Sequence, residues 1–236
     1  MARPLSPCRP ELPWSPVSGR RWLLLPGLLV LALLSPARLL AGDWTTVFEA
    51  ENLRVEQRDY HGSALREIRG VTRVGASLNA LMALLKDARF NRHWVYRSGG
   101  AQILQENGYA QAYVHGIVDA PWPMQDRDTV VRFDYQQQAD TGDITITITN
   151  FPDFLPPRDG LVRVPDFGGY WQLRPLEEGW VEVTYQVHGD PGGWIPVWVA
   201  NYAAVTSVTK TLQAMRTAVA RYRDARSEFV REGPVL

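Results

Sequence analysis

The stretch HGDPGGWIPVWVAN, His188 to Asn201, constrains this chain more than any other, because it must turn a strand-like run into a long C-terminal helix. Asp190, Pro191, Gly192 and Gly193 supply the turn: Pro fixes φ and Gly tolerates positive φ. Pro196 is expected in the first helical turn, where its missing N–H costs nothing. From Ile195 to about Ala225, Trp198, Tyr202, Val205, Thr209, Leu212, Met215, Val219 and Tyr222 recur at steps of three and four, which predicts one apolar stripe. A helix with so bulky a face needs a broad concave surface. Several strands must provide it.

The body of the chain supplies them as hairpins. Leu53–Tyr60 and Ala64–Val74 read as strands, followed by a short helix from Leu78 with Ser77 as its N-cap. Gln102–Glu106 pairs with Tyr109–Val118 across Asn107-Gly108, Thr129–Gln138 with Asp143–Asn150, and Tyr170–Pro175 with Trp180–His188. Repeated hairpins and one late helix predict an α+β chain with an antiparallel sheet gripping the helix. Alternation assigns the faces. Ile144, Ile146 and Ile148, Val181, Val183, Tyr185 and Val187, Trp171 and Leu173, and Val131 and Phe133 should face the helix. Between Val118 and Tyr109 the parity is ambiguous; the larger set, Tyr113, His115 and Ile117, is expected inward against Ala112, Val114 and Gly116.

A second segment narrows the family. In DAPWPMQDRDTVVRF, Asp119 to Phe133, Pro121 and Pro123 break regular structure around Trp122, and Arg127-Asp128 leads into an apolar strand. That Pro-rich loop with its Arg-Asp pair, followed much later by the G-G-x-I-P-x-W-x-x-N run from Gly192 to Asn201, resembles the START family of lipid-transfer domains in its helix-grip (Bet v 1-like) fold. The resemblance covers roughly Trp44 to Arg223. It implies a tunnel between a curved sheet and the last helix, a lipid or other hydrophobic small molecule as ligand, and no cofactor. On that basis Tyr113, His115, Val131, Phe133, Ile146, Trp171, Leu173, Val183, Tyr185, Trp198, Tyr202, Val205, Thr206 and Thr209 are the expected ligand-binding residues. His115, Tyr185 and Thr206 are the candidates to orient the ligand, with a satisfied core position as the plainer role for His115. Arg127-Asp128 is expected as a structural clamp at a strand entry.

The first 41 residues read as a leader. Arg20 and Arg21 precede an apolar run from Trp22 to Leu34, interrupted by Pro26 and Gly27, and Ala41 and Gly42 follow Arg38. The run is short for a spanning helix, so a secretory signal cleaved near Ala41 is expected in place of an anchor. The Arg pair also hints at a twin-arginine signal. The protein is therefore expected to be exported, to the periplasm in a Gram-negative cell and otherwise secreted, with residues 42–236 forming one domain. The leader carries Arg3, Arg9, Arg20, Arg21 and Arg38 against Glu11, while the whole chain has 25 basic and 25 acidic residues, so the remainder has a net charge of −4. That charge gives no electrostatic case for nucleic acid. Cys8, the only cysteine, lies in the leader, so the domain has neither disulfide nor thiolate chemistry.

Access and catalysis complete the expectations. FPDFLPPRDGLVRVP, Phe151 to Pro165, has no period and should form a mobile loop over the tunnel mouth, close to the Asp190–Trp194 turn. Trp194 is either a packing plug or a membrane-probing aromatic, and packing is the expected role. The four His have no metal-binding spacing, no Ser sits in a G-x-S-x-G elbow, and neither Gly pair is followed by a Lys-Ser/Thr. The chain is thus expected to be a non-enzymatic, monomeric lipid-binding protein with transient membrane contact. Its alternatives are a helix-grip cavity enzyme of the polyketide cyclase or aromatase type, and a leader-anchored interaction module.

Overall fold

A computed structural model describes residues 43–227 and 229–231; the expected leader lies outside the described residues. Ten strands form one sheet: β1 (Thr45–Ala50), β2 (Leu53–Asp59), β3 (Arg66–Gly75), β4 (Ser98–Asn107), β5 (Gln111–Val118), β6 (Asp126–Gln137), β7 (Ile144–Asn150), β8 (Leu161–Arg163), β9 (Asp166–Pro175) and β10 (Trp180–Asp190). Their order is β1-β2-β3-β10-β9-β7-β6-β5-β4, and β8 joins β6. All neighbours are antiparallel except β6 and β8. Among the described residues two α-helices accompany the sheet, α1 (Leu78–Lys86) and α2 (Val197–Ala218), the latter running on into a 3₁₀ turn at Val219–Tyr222.

The hairpins follow the sequence pattern. β1 escaped it because its residues, TTVFEA, are almost all exposed and carry no buried alternation. Asn52, at φ 57°, makes the turn into β2, a conformation Asn tolerates better than most residues. Ser77 caps α1, its Oγ accepting the Ala80 N–H at 3.1 Å, and the helix buries Leu78, Leu81, Met82 and Leu84. Pro196 lies one step outside α2, as its N-cap, and offers its carbonyl to Val199 and Ala200.

α2 crosses β2 and β3. Gly70 on β3 permits the approach: a Cβ there would fall 2.7 Å from Val208 and closer still to Leu212. The start of α2 is also tied to the sheet, since the Asn201 side-chain oxygen accepts the Arg66 N–H at 2.9 Å. Val208, Leu212, Met215 and Val219 are buried against Val55, Ile68, Val183 and α1, so the second half of the expected stripe does face the sheet. Its first half does not. Trp198 is 74% exposed and Tyr202 72%.

The segment from Phe151 to Pro165 is more ordered than its composition suggests. It contains a 3₁₀ turn at Pro152–Phe154 and the strand β8, and the Val164 N–H donates to the Asp128 carbonyl at 2.9 Å. It lies beside the Asp190–Trp194 turn as expected: a Cβ on Gly192 would sit 3.2 Å from Val162 and 3.1 Å from Pro165.

Candidate functional site

A cavity of about 640 Å³ opens between the sheet and the first half of α2. Its walls are built from small residues placed opposite one another. β5 contributes Ala112 and Gly116, and α2 contributes Ala200, Ala203, Ala204 and Ser207. Those side chains leave the space, while Val114, Val131, Phe133, Phe167 and Val187 give it an apolar lining. The loop from Asp119 to Met124, which contains a cis Trp122–Pro123 bond, and the turn from Gly189 to Ile195 border it. These two loops and the start of α2 also carry Trp122, Trp194, Trp198 and Tyr202, which are 92%, 89%, 74% and 72% exposed; of the four, Tyr202 lines the cavity. Trp194 is therefore no packing plug.

Of the expected ligand residues, Val131, Phe133, Tyr185, Tyr202 and Thr206 line the cavity. Ile146, Trp171, Leu173 and Val183 face inward but fill the solid core, where Trp171 stacks on Tyr185 with 3.8 Å between ring centroids. Val205 and Thr209 pack where α2 meets the sheet; the Thr209 hydroxyl donates to the Val205 carbonyl at 2.8 Å. Trp198 points to solvent. A stripe scored by bulk misplaces it, because the face that borders an open cavity must be small and its large aromatics turn outward.

The same principle corrects β5. Ala112, Val114 and Gly116 pair with Phe133, Val131 and Thr129 on the cavity face, so Tyr113 and His115 point to the other side. That side is not solvent, because the Phe151–Pro165 segment covers it. Tyr113 stacks on Phe154 at 4.5 Å and meets Phe151 edge-on. His115 is buried and its Nε2 lies 2.9 Å from Asp128 Oδ2. Asp128, fully buried, also accepts the Arg163 guanidinium, Nε to Oδ1 at 3.0 Å and Nη2 to Oδ2 at 2.9 Å. Burial pushes the Asp128 carboxyl up, but hydrogen bonds from Arg163 and His115 outweigh it and hold the group below its ordinary value. The clamp at this strand entry is thus Asp128 with Arg163 and His115, and Arg127 is no part of it.

Arg127 occupies the cavity face instead, with Thr129 beside it. Neither was an expected ligand residue, although alternation along β6 places both with Val131 and Phe133. Tyr185 also reaches the cavity, and burial raises its phenol well above the ordinary range, so it is a neutral donor at physiological pH. At the far end, Lys86 stands over the Tyr135 ring at 4.6 Å, and burial lowers its ammonium value while Glu106 partly offsets that. Among the described residues no group of three or more His, Cys, Asp or Glu is placed to hold a metal ion.

Comparison with known proteins matches residues 32–225 to the START domain family model. An uncharacterised protein of Pseudomonas aeruginosa is 34% identical over 179 residues, covering 76% of this chain and 88% of that one. The phosphatidylcholine transfer protein of Mus musculus is 24% identical over 190 residues, 78% of this chain and 87% of its own. Among solved structures, a STAR-related lipid transfer protein fragment from Xanthomonas axonopodis superimposes with a TM-score of 0.70 at 37% identity, covering 75% of this chain and 98% of that one.

Proposed function

We propose, from the premise that this chain belongs to the START domain family, that it is an exported protein which binds one hydrophobic ligand between sheet and helix and passes it to and from membranes without chemistry. The apolar cavity of about 640 Å³ carries this reading, since it lies in the range of small-molecule sites and is held open by small residues, Ala112 and Gly116 on β5 and Ala200, Ala203 and Ala204 on α2. Burying apolar ligand surface there is worth roughly 25 cal/mol per Å², so affinity does not require a polar anchor. Relatives named for lipid transfer, one of them for phosphatidylcholine, support the ligand class.

The exposed aromatics support transfer over storage. Tyr202 lines the cavity, and the exposed Trp122, Trp194 and Trp198 belong to the two loops and the helix start whose neighbouring residues line it. Aromatic side chains favour the membrane–water interface, where an apolar ring and a polar edge are both accommodated. Docking by this rim would bring the opening against the bilayer. Native mass spectrometry of the purified protein tests the binding reading: a co-purifying lipid at one per chain is expected. A protein that arrives empty and takes up neither phospholipid nor fatty acid from vesicles would refute it.

A further inference from the structure

Arg127 is, among the described residues, the only lysine or arginine that is buried, at 7% exposure, and it faces the cavity. A buried cation is normally neutralised by a carboxylate, because removing an unpaired charge from water is costly. Here the adjacent carboxylate is taken. Asp128 points to the opposite side of β6, where Arg163 and His115 occupy it. Asp119 and Asp190 also line the cavity, but neither pairs with Arg127, and Asp190 Oδ1 accepts the Gly192 N–H at 2.8 Å. Arg127 Nη1 donates to the Gln125 carbonyl, and its buried Nε has no partner.

The surroundings of this charge are graded. Thr129, the next cavity-facing residue along β6, brings its hydroxyl to the same end, and the absent side chain of Gly116 leaves it clear; a Cβ there would lie 3.1 Å from that oxygen. Beyond Thr129 the face becomes apolar with Val131 and Phe133, and Tyr135 follows. From Arg127 to Tyr135 the strand runs about 27 Å at 3.4 Å per residue. Along β6, then, one end offers a guanidinium and a hydroxyl and the middle offers hydrocarbon, before Lys86 and Glu106 are met at the far end.

We propose that Arg127 binds the acidic head group, a carboxylate or phosphate monoester, of an amphiphilic lipid whose chain extends along β6. The guanidinium suits either anion, since its fork of N–H donors accepts two oxygens at once. This rests on the binding reading above and narrows it to anionic amphiphiles.

The test compares matched ligands on the purified protein by displacement of a fluorescent lipid: oleate against oleyl alcohol, and oleoyl lysophosphatidate against monoolein. The expected result is at least tenfold tighter binding of each acid than of its neutral partner. In Arg127→Met that preference should vanish, and Arg127→Lys should restore part of it. Equal affinity for acid and alcohol in the unaltered protein, a comparison that needs no variant to fold, would overturn the proposal while leaving hydrophobic binding intact. A preference that survives in Arg127→Met would also overturn it. Failure of all four ligands would overturn the binding reading and the anchor together. Inorganic phosphate that displaces lysophosphatidate at comparable concentration would make the site one for free anions and likewise end the head-group assignment.

Discussion

Asp128 holds Arg163 in a two-point embrace, Oδ1 to Nε at 3.0 Å and Oδ2 to Nη2 at 2.9 Å, across 35 residues of sequence. The same guanidinium donates to the carbonyls of Pro152, Leu155 and Pro156. One buried ion pair therefore fastens the Phe151–Pro165 segment to the outer face of β5 and β6. This is why a stretch that contains four prolines is nonetheless ordered.

Replacing Asp128 with Asn should be strongly destabilising. It leaves a mostly buried guanidinium without its counter-charge, a change that costs about 3–5 kcal/mol in buried pairs. Urea denaturation would read the loss directly. A variant within experimental error of the original would mean that the embrace contributes nothing net.

The same carboxylate sets an acid response. Its folded value is lowered, so its contribution is complete above the unfolded value of 3.8 and is lost as pH falls through the lower folded value. Stability should therefore decline on acidification below about pH 4, near the ordinary Asp value. The Asp128→Asn protein, having lost that contribution at every pH, should show a shallower decline. Parallel pH curves for the two proteins would assign the acid limb to other groups.

Trp198→Ala separates two roles for the head of α2. With the ring 74% exposed, its removal should change stability by no more than ~0.5 kcal/mol, as for other surface positions. Under the docking reading it should instead slow lipid transfer between vesicles and weaken vesicle association. A large drop in melting temperature would return the ring to the core.

The small wall of α2 yields an opposite prediction. Ala200→Phe places an aromatic ring into the cavity without touching the packed half of the helix, so ligand retention should fall sharply while folding persists. Retention measured by native mass spectrometry at the original level would show that the ligand lies elsewhere.

These residues also show what the sequence could convey. The alternation of Ile144, Ile146 and Ile148 and of Val181 and Val183 identified inner positions, because a buried face repels polar side chains whatever it packs against. Alternation could not say whether an inner residue meets another side chain or open space, so Ile146, Leu173 and Val183 were expected at the ligand and lie in the core. Size was the missed signal. Ala112 and Gly116 on β5, with Ala200, Ala203 and Ala204 on α2, mark the cavity by what they lack. Tyr113 and His115 were misassigned because two faces of β5 are covered, one by the cavity and one by the Arg163-anchored segment. In a strand covered on both sides, alternation loses its polarity.

Access to the cavity is then expected from its less constrained border. The Phe151–Pro165 segment is held by the Arg163 hydrogen bonds and by β8, and opening it would break a buried ion pair. The Asp119–Met124 loop and the Gly189–Ile195 turn carry two almost fully exposed Trp rings, and local opening draws on regions with few buried contacts. Amide hydrogen exchange should therefore be slow at residues 161–164 and fast at 119–124 and 190–195, with ligand loading slowing only the latter two. A disulfide between the Gly189–Ile195 turn and β8, made at Gly193 and Val162 (whose Cγ1 would lie 3.8 Å from a Cβ on Gly193), should slow lipid exchange and leave equilibrium affinity nearly unchanged. Protection by ligand confined to residues 151–165, or unaltered exchange in the confirmed oxidised protein, would move the gate back to the proline-rich segment.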